Sequence, residues 1–247
     1  MHAVVTGAGT GIGQAIADRL ARDGASLTLL ARDADRLAEV AEPLGATARA
    51  CDIRDRAAVD AAFAAAADER GPIHVLVANA GVGGPNDPGG DDRFDDLVAT
   101  NLVGTYSCLR AAQRHFAPAT EPRHLVVISS ILARIPVPGY TGYSASKAGL
   151  LGLVRSLAAE LAPADVPVNA ICPGWVDTSM AWTGIEGMAT AGGITRDEAY
   201  ARAMSEVPLR RMSQPADIAG VVAWLLSPDA RGVTGQAIDV NGGAFMS

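Results

Sequence analysis

Short apolar runs that alternate with stretches of helical period constrain this chain more than any other feature. The runs fall at Ala3-Val4-Val5, 26–30, 75–77, 125–128 and 168–171, and the segments 14–22, 36–42, 57–68, 94–116, 143–161 and 215–226 read as helices. A strand without polar alternation must be covered on both faces, and a helix between two such strands is the crossover of a parallel βαβ unit. The pattern predicts an α/β fold, a Rossmann-like, doubly wound, mainly parallel sheet with helices on both faces, as a single domain over residues 1–247. Ligands in such folds bind beyond the carboxyl ends of the strands, so any functional motif has to lie there. Pro215, behind Ser213-Gln214, suits a first helical position because its missing N–H is not needed there.

Composition removes several classes of function. A formal net charge of −7 leaves no basic stripe to displace counterions from a phosphate backbone, so nucleic acid is not an expected partner. Cys51, Cys108 and Cys172 are odd in number and lack CxxC spacing, which reads as reduced, buried thiols in a cytoplasmic protein. The opening Met1-His2-Ala3 runs straight into Val4-Val5 without a basic segment, so no export signal is expected. The alanine-rich run at 57–67 contains Asp60 and ends in Asp68-Glu69-Arg70, so no membrane span is expected either. His2, His74, His115 and His124 are scattered, with no spacing for a metal, and no G-x-S-x-G elbow marks a hydrolase.

The first strand runs into Thr6-Gly7-Ala8-Gly9-Thr10-Gly11-Ile12-Gly13 and then a helix. Unpaired N–H groups and the positive end of the helix dipole favour a pyrophosphate at such a junction. Gly7 permits the tight turn, Gly11 lets backbone approach phosphate, and Gly13 lets the helix pack on the strand. An ordinary glycine-rich βα turn would read similarly. The spacing, however, is G-x-x-x-G-x-G, with Ile12 where the G-x-G-x-x-G fingerprint needs glycine. Downstream, Tyr143-Ser144-Ala145-Ser146-Lys147 places Tyr143 and Lys147 one helical turn apart on one face.

These motifs, in this order, resemble the short-chain dehydrogenases/reductases, ketoreductases in particular, and the likeness runs through the closing segment 233–243. The resemblance implies that Gly7, Thr10, Gly11, Ile12 and Gly13 hold a nicotinamide cofactor, that Asn79-Ala80-Gly81 brace the sheet beside its adenine ribose, and that Asp52 and Ile53 meet its adenine. It also implies that Pro173, Gly174, Val176 and Thr178 hold the carboxamide. Cofactor choice falls to Ala31-Arg32-Asp33. Ala31 stands where NAD-preferring relatives carry aspartate, and Arg32 follows where a guanidinium grips a 2′-phosphate, which favours NADP(H) over NAD(H). Against this, Asp33 and Asp35 are placed to neutralise Arg32, and Thr10 replaces a basic residue of some NADP-preferring relatives.

The chemistry explains the Tyr143–Lys147 pairing. Carbonyl reduction delivers hydride to carbon and a proton to oxygen; tyrosine, with an ordinary pKa of ~10, needs ~3–4 kcal/mol of phenolate stabilisation to trade protons near neutrality. An adjacent ammonium is expected to supply much of it. The resemblance assigns Tyr143 as acid/base and gives Lys147 this role together with bonds to the nicotinamide ribose. It makes Ser130, in preference to Ser129, the hydroxyl that polarises the reacting oxygen, and Asn101 the residue that holds a water in a relay behind the lysine.

Substrate contacts are expected from Ser130, Ile131, Leu132, Val137, Tyr140 and Trp175, and from Met180 and Trp182 in a flexible lid over approximately 179–206. Glycine-rich loops are expected at 81–90 and 184–193. The leading reading is an NADP(H)-dependent oxidoreductase that interconverts a small-molecule ketone and a secondary alcohol, with an apolar, cyclic or acyl substrate, assembled by resemblance as a homotetramer through segments 94–116 and 143–161. The alternatives are an NAD-dependent secondary-alcohol dehydrogenase and a catalytically silent nucleotide-sensing protein.

Overall fold

The computed structural model describes residues 1–86, 89 and 92–246. Seven strands, β1 His2–Thr6, β2 Ser26–Ala31, β3 Thr47–Ala50, β4 Val75–Ala78, β5 His124–Ile128, β6 Val168–Pro173 and β7 Ala237–Val240, form one parallel sheet in the order β3-β2-β1-β4-β5-β6-β7. The order reverses between β1 and β4, which pair Ala3 with Val75 and Val5 with Val77. This is the doubly wound architecture that the alternation of runs predicts.

Strand periodicity divides the core between the two faces. Val4, Leu30, Leu76, Leu125 and Val127 point to one side, where α3 (Arg56–Arg70), α5 (Thr105–Arg114) and α6 (Thr141–Leu161) cover them. Ala3, Val5, Leu29, Val77 and Ile128 point to the other, under α1 (Gly11–Arg22), α2 (Ala34–Ala41) and α9 (Pro215–Leu225). Leu76 and Leu125 are wholly buried, so truncating either to alanine costs about 2–5 kcal/mol. Helix α9 starts at Pro215, as expected. Among the described residues no helix is long and apolar enough to cross a membrane.

Three local expectations need correction or completion. The segment 94–116 is not one regular helix: α4 (Phe94–Val98) passes into a π-helical turn over Ala99–Gly104 before α5 resumes. The segment 184–193 is not a loop, because Ser179–Gly192 form α7, with Gly193 in the left-handed region at its end, followed by α8 (Arg196–Ser205). Glycine costs a helix about 1 kcal/mol relative to alanine. Here packing outweighs it, since Ala181 and Ile185 of α7 join Ala199, Ala203 and Met204 of α8 in a satellite core. The described part of the expected loop at 81–90 has no helix or strand; Asp87, Pro88 and Gly90 lie outside the described residues.

Candidate active site

Six of the segments singled out in the sequence lie at the carboxyl edge of the sheet: the glycine loop after β1, Arg32 after β2, Asp52 after β3, Asn79 to Gly81 after β4, Ser129 and Ser130 after β5, and Gly174 after β6. The glycines are required by space. Gly7 has φ +65°, and a Cβ on Gly13 would come within 2.1 Å of the Gly7 carbonyl and 2.6 Å of Asn79 Nδ2. Asn79 in turn donates to the carbonyls of Thr6 and Gly7, both at 3.1 Å, and Thr6 Oγ1 accepts from the N–H groups of Asn79 and Ala80. Thr10 is the N-cap residue of α1 but makes no side-chain cap bond, so the first-turn N–H groups stay available to an anion. The donor set and the space kept free of side chains fit the pyrophosphate of a dinucleotide. Ile12 packs on the core beneath, and Thr178 Cγ2 closes over Gly11, where a Cβ would approach to 3.0 Å.

The catalytic candidates converge beyond β5. Ser129 and Ser130 are successive residues of extended chain and point opposite ways. Ser129 Oγ donates to the Lys147 carbonyl at 2.9 Å, whereas the Ser130 hydroxyl accepts from Leu132 N at 3.1 Å and lies close enough to Tyr143 to act on its phenol. Lys147 is buried, donates from Nζ to the Ile128 carbonyl at 3.0 Å, and lies 5.7 Å from the Tyr143 ring centroid. Nζ lies beside Gly81, where a Cβ would sit 3.4 Å from it. Burial pushes the Lys147 ammonium down to about 8, an effect the nearby Cys172 thiol opposes. Burial also pushes the Tyr143 phenol up, and Ser130 is the group that pulls it back. For the phenol in the protein by itself, desolvation dominates and the opposing pull comes from the serine.

Asn101 sits in the π-helical turn, fully buried. Its Oδ1 accepts from Val82 N at 2.8 Å, and its Nδ2 donates to Val82 O at 3.0 Å and Ser146 Oγ at 3.1 Å. The side chain thus braces the segment after β4 against α6. Sequence reasoning missed Asn86, whose Oδ1 accepts from Gly142 N at 2.9 Å and from Thr141 Oγ1 at 3.1 Å, capping the helix that carries Tyr143. No spacing rule could reveal a partner that far along the chain.

At the adenosine end, Asp52 accepts from the Arg54 guanidinium and backbone, which holds its carboxyl below the usual range, and Arg54 extends to Asp96. The Ile53 side chain is buried against Gly104. Arg32 is exposed, and among the described residues no carboxylate lies within ion-pair distance of it. Asp33 does not neutralise it, because that carboxylate caps α2 through Arg36 N at 3.1 Å and pairs with Arg36 Nε at 3.5 Å. Pro173 and Val176 are buried, and Gly174 N donates to Val240 O at 3.0 Å.

Beside these candidates, Tyr140 meets Tyr143 edge-on at 6.4 Å. Ile131 is buried, whereas Leu132 and Val137 are half-buried. Met180 is about half exposed and reaches across to Gly83, where a Cβ would come within 2.8 Å of its Sδ. Two tryptophans pack against the satellite core. Trp182 stacks on Tyr200 at 5.6 Å, lies under Arg196 at 5.0 Å and donates Nε1–H to Asp177 at 2.7 Å, while Trp175 packs on Gly184.

The comparisons agree with this geometry over the whole chain. A family model described as enoyl-(acyl carrier protein) reductase matches residues 7–244. The chain is 34% identical over 248 residues to 3-oxoacyl-(acyl-carrier-protein) reductase FabG of Vibrio harveyi, covering 99% of this chain and 97% of that one. It is 35% identical over 248 residues to 3-oxoacyl-(acyl-carrier-protein) reductase MabA of Mycobacterium tuberculosis, covering 98% and 92%. Among solved structures, a variant of actinorhodin polyketide ketoreductase with NADPH matches with a TM-score of 0.93 at 35% identity, covering 98% of this chain and 96% of that one. Levodione reductase matches with a TM-score of 0.89 at 27% identity, covering 98% and 96%. With its motifs in order along one sheet edge and its likeness unbroken from end to end, the chain belongs to the short-chain dehydrogenase/reductase family, NAD(P)-dependent oxidoreductases that act on carbonyl and hydroxyl groups.

Proposed function

We propose that this protein reduces a ketone to a secondary alcohol with NADPH. The observation that carries the reading is the convergence of Ser130, Tyr143 and Lys147 beneath Gly81, with Ser129 turned away to the Lys147 backbone. The cofactor supplies hydride when bound. Ser130 donates a hydrogen bond to the carbonyl oxygen and strengthens it as negative charge develops there, and Tyr143 gives that oxygen its proton. Lys147, anchored on Ile128 O, keeps donors toward the nicotinamide ribose and places positive charge by the phenolate that forms. Asn101 holds the backbone around this group, as the scaffold of the relay behind the lysine.

Preference for NADPH is supported by Arg32, left free by Asp33, and by the actinorhodin relative solved with NADPH. Leu132, Val137, Tyr140 and Met180 favour an apolar, cyclic or acyl ketone. In the same reading the protein is a cytoplasmic homotetramer: its cysteines are buried free thiols, and Val103 and Phe94 leave apolar surface on the helices expected to pair. A panel of ketones and alcohols, followed by absorbance with NADPH, NADH, NADP and NAD, tests the reaction and the cofactor together. Turnover of ketones with NADPH is expected; a protein that turns over nothing with any of the four would end the proposal.

A further inference from the structure

Arg134 closes the short turn that begins at Ser130. Ser130 Oγ accepts from Leu132 N at 3.1 Å, and the N–H groups of Ala133 and Arg134 return to the carbonyls of Ser130 and Ile131 at 3.0 and 2.9 Å. The guanidinium then leaves this turn for the edge strand β7. Nη2 donates to Ala237 O at 2.7 Å, Nε lies 3.1 Å from Asp239 Oδ1, and the group covers the Phe245 ring at 5.4 Å. The Arg134 and Asp239 side chains are only 21% and 19% exposed.

Stability alone explains this pair poorly. A largely buried ion pair costs desolvation of both charges, and replacing both partners by apolar residues is often neutral or favourable. The Nε to Oδ1 contact has ion-pair distance without hydrogen-bond alignment, so even its directional gain is incomplete. What the pair does supply is a fixed connection: the turn carrying the Ser130 hydroxyl is tied to a strand 103 residues further along the chain.

We propose that Arg134 is a positioning residue, clamping the Ser130 turn onto β7 through Ala237 and Asp239 so that the Ser130 hydroxyl is held against Tyr143. This rests on the roles given above to Ser130 and Tyr143. The clamp acts on geometry and touches no reacting atom.

The decisive variant is Arg134→Met with Asp239→Leu, which removes both charges and leaves neither buried alone. Melting temperature, Tyr143 titration and ketone turnover are measured on the full chain. The titration is the near-ultraviolet phenolate signal that Tyr143→Phe abolishes in the same background. The double variant is expected to melt within a few degrees of the parent, to titrate Tyr143 at higher pH because the lowering hydroxyl has moved, and to turn over roughly tenfold more slowly with unchanged cofactor affinity, a loss in the range of misplaced catalytic groups. Arg134→Lys should recover part of both signals. An unshifted titration in a folded double variant overturns the clamp, whatever the activity. If the double variant does not fold, Asp239→Asn loosens the same connection, and an unshifted Tyr143 there is equally fatal. A shifted titration in a protein whose parent reduces no ketone would leave the clamp standing and defeat the proposed reaction.

Discussion

Replacing Tyr143 with phenylalanine removes one oxygen from the cleft and leaves the ring, its edge contact with Tyr140 and the Lys147 neighbourhood in place. The fold and cofactor affinity should therefore survive, while turnover falls by at least ~10², the usual scale for losing a general acid. Steady-state rates beside a cofactor titration decide this, and near-normal turnover would refute the role of Tyr143. Arg32→Asp tests the other end of the cleft. A guanidinium–phosphate contact is worth ~1.5–3 kcal/mol, so the substitution should weaken NADPH roughly ten- to hundredfold and NADH far less. Dissociation constants for both cofactors give the answer; an unchanged preference would leave Arg32 a solvated residue. At this scale the sequence was most informative where chemistry restricts residue type, as at Gly13, Tyr143 and Lys147. The two serines after β5 share type and neighbourhood; the resemblance prefers Ser130, and the structure gives the two hydroxyls different partners. Arg134 and Asn86 were illegible because their partners are distant in the chain and nothing in their own surroundings names them.

Among the elements, the α7–α8 pair is a small unit with its own apolar centre, the stacked Trp182 and Tyr200, and contacts to Gly11 and Gly83 through Thr178 and Met180. We expect it to close over bound ligands as one piece. The glycines at 184, 187, 192 and 193 lower the cost of rearrangement. Hydrogen exchange across 179–206 should accordingly slow when cofactor and substrate are both present; equal protection with and without them would remove the lid from the mechanism. Elements with apolar periodicity were legible, and those held by tertiary contacts were not. Thr47–Ala50 lacks an apolar run because β3 is an edge strand with alternating exposure, so the alternation of apolar runs does not mark it. The π-helical turn leaves no mark in the pattern, since it shifts hydrogen bonding by one residue inside a continuous helical segment.

For the molecule as a whole, the amino end of the sheet holds a buried imidazole with a consequence for stability in mild acid. His2 bonds through Nδ1 to Gly71 O at 2.9 Å and through Nε2 to Thr28 Oγ1 at 3.0 Å, which fixes a neutral ring with its proton on Nδ1. Burial holds His2, and likewise His124, below the ordinary value of 6.5. As pH falls through that value the unfolded chain takes up protons that the folded chain refuses, so stability should decline from about pH 6.5 downward and level off below the native values. Melting temperatures between about pH 7.5 and 5 would show the decline, and His2→Gln should flatten it. An identical slope in the variant would clear His2 of responsibility.

The strand order has a further consequence for how the molecule comes into being. The cleft draws on loops from both sides of the β1–β4 junction, with the glycine loop in the first third of the chain and Tyr143 beyond its middle. No contiguous half of the polypeptide contains a working cleft. Its parts meet only after distant segments have paired, and such long-range closure is the slow part of folding a parallel sheet. Nucleotide affinity and catalytic competence therefore belong to the completed sheet, and a ligand that binds the cleft stabilises the whole cooperative unit by mass action.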